Sequence, residues 1–421
     1  MTDIPADAHP SIFGLFDRIE FGIAARCTNM GSDVLDTMRH RLNYRGFLVS
    51  NGTPDKVECQ IPIDFKETGC RARVSITLPF GRPQDPDGDW KIAPSGSIRL
   101  NLQRLLRAEH GISEDPATKS LDGRFNYLGL PTATRPPGDP DRQIALCARA
   151  VENVIAVLRA AVPLEADFGL GELRLRTAEL SHDIACPDAS RVVRLLERCP
   201  VPGAREVGKF RYQKVSDKPA GTVVHWQTGR AYEGKAYAKA ADLLRVEVVC
   251  SNRDAVAALL GERPTGPVEG QEAARQLRLF ADAAIETLAE LHAHATEVRD
   301  VAPARPFALR CAFEPLAAFA AGQPLAGGRH PSQATYERAQ AAYDDLIETG
   351  LFRASGTDSG TPIRRVLDQL AAAGTLRREG RRPITYYLAP AYAAAALAFA
   401  PDAHHAGTPP AETRNWSRVR G

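Results

Sequence analysis

From Ile12 to about Leu100, apolar and polar positions alternate, interrupted by Gly, Pro, Asn and Asp clusters. Alternation places successive side chains on opposite faces of a strand. It predicts strands over Phe13–Ile23, Gly46–Val49, Val57–Phe65, Ala72–Leu78 and Trp90–Leu100. G-R-P-Q-D-P-D-G-D, within that stretch, is a loop. Leu102–Glu109 predicts a short helix, and Phe125–Asp141 a Pro- and Gly-rich connection. The period then changes. Ile144, Val151, Val154, Ile155 and Leu158 fall on one face of a helix over Arg142–Val162. A strand follows from Glu172 to Ala185. Pro187 and Asp188 open a helix over Ala189–Arg198, which Cys199 and Pro200 close. Strands recur at Glu206–Lys214, Thr222–Gln227, Lys235–Lys239 and Leu243–Cys250. Helices are predicted over Arg253–Leu260, Val268–Glu297 and Leu309–Phe319. Strand, helix, then several strands is the order of an α+β fold with a mainly antiparallel sheet and flanking helices.

The C-terminal part reads differently. Thr335–Thr349 is an amphipathic helix ended by Gly350. Thr361–Ala373 is a second, with Pro362 at its first position and Gly374 after its end. T-L-R-R-E-G-R-R-P-I-T-Y-Y-L then predicts two short strands around a Glu-Gly turn. Helix, helix, basic hairpin is the order of a winged-helix-like domain. Its Arg364, Arg365, Arg377, Arg378, Arg381 and Arg382 fall where contacts to DNA phosphates are wanted; docking of a protein is the alternative use of the same frame. The expected divisions are a β-rich part over 1–120, an α+β subdomain over 121–265, a helical connection over 266–330, the winged-helix-like domain over 331–390 and a disordered tail over 391–421.

Composition narrows the classes. The chain has 421 residues and a net charge of +2, so any basic surface is local. The eight cysteines are scattered, with no C-x-x-C, which fits a reduced, cytoplasmic protein. The N-terminus lacks the basic start and apolar core of a signal peptide. The Ala-rich stretch Ala391–Ala400 is too short to span a bilayer, so no membrane partner is expected. No G-x-x-x-x-G-K-[ST] occurs, which argues against an ATPase or helicase of that type.

Charge becomes one-sided between Arg205 and Lys239. Arg211, Lys214, Arg230 and Lys235 interleave there with Phe210, Tyr212, Trp226, Tyr232 and Tyr237. Cations with aromatics suit a single-stranded nucleic acid, through phosphate contact and base stacking; two solvated hairpins with core aromatics would give the same pattern. At its end Tyr237 and Lys239 project to one strand face together, as do Arg245 and Glu247 on the strand that follows. A tyrosine beside a fixed cation is suited to attack on phosphate. Glu179, in A-E-L-S-H-D, and Glu247, in L-R-V-E-V, lie on neighbouring strands and could hold a hard divalent ion, Mg²⁺ or Mn²⁺. The plainer alternative leaves Glu179 exposed and pairs Glu247 with Arg245. Tyr232, near glycines 229 and 234, is the rival nucleophile. His292 and His294 would need a strand to share a face as metal ligands, and they fall in a helical pattern.

Taken together, these segments resemble the gene II/X replication proteins of filamentous phages, which also occur on plasmids. T-V-V-H-W-Q-T-G-R (Thr222–Arg230) is similar to the family's T-V-x-W-x-x-x-S-R. A-Y-A-K (Ala236–Lys239) matches its A-Y-x-K, and Leu244–Val248 matches its V-R-F-E-A. Glu179 is followed by Pro187 and a helix, as the family's acidic strand is, and Thr335–Gly374 resembles its C-terminal region. The resemblance runs from about Ile12 to Thr375 and is thin over the first 120 residues. It implies a rolling-circle replication initiator that nicks and rejoins origin DNA through a 5′-phosphotyrosine. Tyr237 would be the nucleophile, Lys239 its neighbour, and Glu179 and Glu247 the metal positions. Arg211, Lys214, Trp226, Arg230, Lys235 and Arg245, with the six C-terminal arginines, would contact single-stranded and duplex DNA. Host helicase and polymerase would be partners in a bacterial cytoplasm. Two departures stand out: Glu179 replaces an aspartate, and the A-A-D-L-L link after Lys239 is shorter. A non-catalytic DNA-binding initiator and a conjugative relaxase are the alternatives.

Overall fold

The structure is a computed structural model. It describes residues 15–28, 32–44, 48–50, 56–81, 91–92, 96–109, 111, 140–162, 167–199, 201, 205–212, 221–227, 233–250, 253–261, 265–303, 313–318, 321, 330, 332–355, 361–380 and 384–399. The chain forms two compact units: Met1–Arg194 with Gly203–Arg299, and Leu195–Pro202 with Asp300–Gly421.

The first unit is built on one antiparallel sheet. Its elements run β1 (Leu15–Thr28), α1 (Ser32–Tyr44), β2 (Leu48–Ser50), β3 (Lys56–Phe65), β4 (Cys70–Gly81), β5 (Lys91–Ile92), β6 (Gly96–Asn101), α2 (Leu102–Glu109) and α3 (Pro140–Ala161). They continue with β7 (Asp167–Ala185), α4 (Ala189–Arg198, of which Leu195–Arg198 belong to the second unit), β8 (Arg205–Tyr212), β9 (Gly221–Gln227), β10 (Glu233–Ala240), β11 (Leu243–Cys250), α5 (Arg253–Leu260) and α6 (Gly270–Asp300). The strand order is β2-β3-β4-β6-β1-β7-β11-β10-β9-β8, with β5 paired to β4. The α+β class expected from the pattern is what forms.

Two expectations are corrected here. The parts expected over 1–120 and 121–265 share one sheet, because β1 lies between β6 and β7 and ties them together. The boundary near 266 also moves, since α6 belongs to the first unit through Arg299. Helix α1 was not expected; its buried Met38 and Leu42 lie four apart among polar neighbours, too few for a clear period.

One face of the sheet is apolar. Phe16, Ile19, Phe21 and Ile23 of β1, Leu173, Leu175, Ala178 and Leu180 of β7, and Leu244, Val246 and Val248 of β11 are all buried. Helix α3 buries Ile144, Val151, Val154 and Leu158, and α6 buries Leu277, Phe280, Ala284 and Leu288. The Phe16 and Phe280 rings lie 6.1 Å apart, which places α6 on that face. The other face is polar and carries the site. Where β1 crosses it, register shifts interrupt the β1–β7 ladder between Phe16 and Ile19. Such a bulge re-aims a side chain, here that of Asp17. Beside it, the Phe16 N–H donates to Oε1 of buried Gln143 on α3, at 3.1 Å.

The second unit contains α7 (Gln333–Thr349), β12 (Leu351–Ala354), α8 (Pro362–Ala372), β13 (Leu376–Glu379), β14 (Ile384–Leu388) and α9 (Pro390–Phe399). Its small sheet runs β12-β14-β13. Thr361 caps α8 by accepting the Arg364 N–H at 3.3 Å, and Gly350 ends α7 at φ +80°. The disordered tail expected from residue 391 is corrected: Ala393–Ala396 are buried in helix α9. Among the described residues, no helix is long and apolar enough to cross a membrane, and Cys59, Cys70, Cys147, Cys186, Cys199 and Cys250 are free thiols.

Candidate functional site

Strands β10 and β11 form a hairpin in which Tyr237 stands opposite Arg245 and Lys235 opposite Glu247. Strand β11 in turn sets Arg245 opposite Asp183 of β7, and Val249 opposite Glu179. Pleat and register therefore bring Tyr237, Lys235, Arg245, Glu247, Glu179 and Asp183 to one face. The bulge in β1 adds Asp17.

The phenol is engaged by a carboxylate. Tyr237 Oη donates to Glu247 Oε1 at 2.6 Å, a diagonal reach across the hairpin. Glu247 is 4% exposed, which explains why a central strand carries a glutamate: it has a built-in donor. The alternative pairing of Glu247 with Arg245 is not the main one, since their closest approach is 3.9 Å. Arg245, fully buried, donates Nε and Nη2 to the two oxygens of Asp183 at 2.6 and 2.9 Å. Its Nη1 donates to Asp17. Glu179 lies 4.0 Å from the Lys235 ammonium. The Lys239 ammonium sits 6.0 Å from the centroid of the Tyr237 ring, within cation–π reach.

Asp17, Glu179 and Glu247 offer oxygens that all lie within 4.8 Å of one another. The crowding shows in the pKa values of Glu179 and Glu247. Burial, then the charge of Glu247, lifts the Glu179 carboxyl to about 7, although Lys235 opposes the rise. Burial also raises Glu247, against the hydrogen bond from Tyr237 and the charge of Arg245. Burial and Glu247 hold the Tyr237 phenol protonated well above its ordinary range. Burial and Arg245 lower the Lys239 ammonium.

Glu179, Glu247, Tyr237, Lys235 and Lys239, all singled out from the sequence, thus come together. Asp17 and Asp183 were missed as partners. Asp183 continues the Glu179 strand by alternation and could have been read; Asp17 lies far away in sequence, at an irregularity that periodicity does not mark. Two nucleic-acid contacts are corrected. Trp226 is 1% exposed because it alternates inward with Val224 along β9, so no base can stack on it. Arg245 is 0% exposed and committed to Asp183 and Asp17, so it is not a phosphate contact. Arg211 lies in β8. Lys214, Arg230, Tyr232, Arg381 and Arg382 lie outside the described residues.

In the second unit, Arg364 and Arg378 both reach Asp368, at 3.2 and 3.5 Å, and Tyr386 Oη donates to it at 2.6 Å. Arg365 on α8 is exposed and Arg377 on β13 half-buried. His294 is 5% exposed in α6, while His292 meets His182 edge-on at 4.5 Å. Burial, His182 and Arg299 lower His292 to about 4. The helix turns the two α6 histidines apart, as expected for positions i and i+2.

No protein-family model matches the chain, and no curated protein matches it. Among solved structures, the di-domain ARO/CYC StfQ from the steffimycin biosynthetic pathway aligns at 12% identity. The alignment covers 64% of this chain and 97% of that one, with a TM-score of 0.15.

Proposed function

We propose that this chain is a rolling-circle replication initiator, a site-specific nickase and strand transferase acting on single-stranded origin DNA. The observation that carries the reading is the Tyr237 hydroxyl, held 2.6 Å from Glu247 beside two further carboxylates. A phenol, a carboxylate bonded to it and two further carboxylates on one polar sheet face support this reading, and the sequence resemblance assigns roles to the same residues.

The donor set fits a metal. Three carboxylates converge, and Glu179 is driven up to about 7 by burial and by Glu247. A divalent ion relieves such repulsion, and all-oxygen ligands suit Mg²⁺ or Mn²⁺. Asp17, Glu179 and Glu247 would hold it. Bound there, it would polarise the scissile phosphate. The chain's own residues do the rest. Tyr237 Oη attacks phosphorus as its proton passes to Glu247; the P–O3′ bond breaks, the leaving 3′ oxygen takes a proton from water, and Glu247 returns its own to solvent. A 5′-phosphotyrosine and a free 3′-OH result, and the reverse step rejoins the strand with no outside energy source. Lys235 and Lys239 supply positive charge beside the reacting oxygens. Arg245 positions Asp17 through its buried pairs. The second unit, read as winged-helix-like, would hold duplex DNA through Arg365 and Arg377 by phosphate contacts. Host helicase and polymerase would then use the 3′-OH in a bacterial cytoplasm.

The test is nicking of a supercoiled plasmid carrying the cognate origin, with Mg²⁺ or Mn²⁺ supplied. Tyr237→Phe is expected to abolish nicking and keep DNA binding. Glu247→Gln is expected to slow it about 10²–10⁴-fold, the usual range for a lost proton acceptor. Unchanged nicking by Tyr237→Phe would move the role to Tyr232. A parent chain that binds the origin without cutting would leave a non-catalytic initiator.

A further inference from the structure

The strand order of the first unit repeats itself about its centre. Apart from the two-residue β5, which has no counterpart, β1, α1, β2, β3, β4, β6, α2 and α3 are followed by β7, α4, β8, β9, β10, β11, α5 and α6 in the same succession. Pairing is matched as well: β1 joins β6, β4, β3 and β2 outward on one side, and β7 joins β11, β10, β9 and β8 on the other. The two first strands pair antiparallel at the centre. An antiparallel pair of counterpart strands implies a twofold axis perpendicular to the sheet. Both halves then present their counterpart faces on the same side.

Counterpart strands also carry a matching device. Arg99 of β6 stands directly opposite Glu20 of β1 and bonds it at 3.0 Å. Arg245 of β11 stands directly opposite Asp183 of β7 and bonds it at 2.6 Å. The local sequences agree in kind, I-R-L-N at Ile98–Asn101 against L-R-V-E at Leu244–Glu247. Each half further sends a buried glutamine from its last helix to the backbone of its first strand: Gln143 to Phe16, and Gln276 to Leu173 and Leu175. Set in register on the ion pairs, Ser75 stands opposite Arg99 as Tyr237 stands opposite Arg245. Asn101 takes the place of Glu247, and Arg73 that of Lys235. The N-terminal half keeps the frame and lacks the nucleophile and its acceptor.

What it has instead is exposed guanidinium. Arg73, Arg99, Arg18 and Arg176 lie on β4, β6, β1 and β7, four adjacent strands about 4.8 Å apart. Arg18, Arg99 and Arg176 converge on Glu20 at 3.5, 3.0 and 3.9 Å, yet keep side-chain exposures of 54%, 54% and 36%. A Cβ on Gly22 would meet the Arg176 Nε at 2.4 Å, so glycine lets that side chain lie flat across the sheet. Glu58, Asp64 and Glu172 also lie on this side, but Asp64 is taken by Arg71 at 2.6 Å. Arg18 acts electrostatically on Glu179 as well as pairing with Glu20, so the cationic line runs into the tyrosine site.

We propose that the N-terminal half is a non-reactive repeat of the tyrosine-bearing half, and that its arginine line binds the phosphates of the single DNA strand on which Tyr237 acts. The proposal rests on the nickase reading for the identity of that strand. Charge complementarity names a polyanion, and a line of arginines on four adjacent strands of one sheet face suits an extended single strand.

The experiment uses the full-length chain with Tyr237→Phe, so that cutting does not interfere. Binding of a fluorescein-labelled, mixed-sequence single-stranded oligonucleotide is titrated against salt. Arg73→Ala/Arg99→Ala is expected to weaken binding about fivefold per arginine at 0.1 M salt and to lower the log–log salt slope by about 0.7 per arginine. Arg73→Lys/Arg99→Lys keeps the charge and is expected to keep the slope, which separates phosphate contact from damage to the fold. Arg278→Ala, an exposed arginine on α6, is expected to leave both unchanged. Alanine variants that bind like the parent overturn the proposal even where Tyr237 nicks normally. Lost binding with no nicking by the parent keeps the proposal and removes the enzyme. A parent that binds no single strand overturns both.

Discussion

Arg245 decides the charge balance of the site. Its guanidinium is fully buried and holds Asp183 through two hydrogen bonds and Asp17 through a third. Positions 245 and 247 share a strand face, so a pairing of Arg245 with Glu247 was one sequence expectation. The directly opposite residue wins because it lies about 4.5–5.5 Å away between Cβ atoms, whereas diagonal neighbours lie about 7–8 Å away. Asp183 therefore takes Arg245, and Glu247 is left for Tyr237. Removing the guanidinium strands carboxylates that water reaches poorly. Arg245→Met is expected to destabilise the chain by roughly 3–5 kcal/mol, the cost of breaking one side of a buried ion network. Arg245→Lys recovers only part of this, because an ammonium cannot make the paired contact with Asp183. Urea unfolding followed by far-UV circular dichroism gives the comparison; a midpoint equal to the parent's would remove Arg245 from its structural role.

The bulge in β1 does at the level of an element what Arg245 does for a residue. It turns Asp17 toward the polar face, directly after Phe16, which pairs with Leu180. Gln143 satisfies the Phe16 N–H from helix α3 while only 2% exposed. Gln143→Leu keeps the bulk and removes this acceptor, so a loss of about 0.5–1.5 kcal/mol is expected. Ser or Ala at Asp17 leaves the N–H bonded and is expected to cost less, and the contrast between the two unfolding curves tests the assignment. Strands β7, β10 and β11 were legible because alternation alone fixes which side chains share a face, and so Glu179, Tyr237, Lys239 and Glu247 could be grouped. A bulge leaves no periodic mark, so Asp17 could not be added. Trp226 shows the converse: basic and aromatic residues interleave in a binding strand and in an ordinary amphipathic one, and here Val224 and Trp226 simply form the buried side. Helix α1 was hidden for a related reason, its few apolar positions being outnumbered by polar ones.

At the scale of the whole molecule, chain order misleads. The sequence suggested successive pieces divided near 120, 265 and 330, yet strand pairing joins the first two, and the second unit recruits Leu195–Pro202 from far upstream. That segment is integral to it. Arg198 donates to the Ile347 carbonyl at 3.1 Å, Cys199 Sγ reaches the Leu388 carbonyl at 3.4 Å, and Gly350 lies against Arg198 with no room for a Cβ. Leu195, Leu196 and Cys199 are 1%, 0% and 2% exposed. Deleting one large buried side chain costs about 2–5 kcal/mol, and a domain's whole stability is about 5–15 kcal/mol. A fragment spanning 300–421 lacks all of these residues at once. It is expected to show no cooperative thermal transition by circular dichroism, and fast cleavage by a nonspecific protease at 25 °C. The full chain should protect the same region from that protease. A fragment that melts cooperatively and resists digestion would mean that Leu195–Pro202 is an accessory to the second unit and that the division read from the sequence was the physical one.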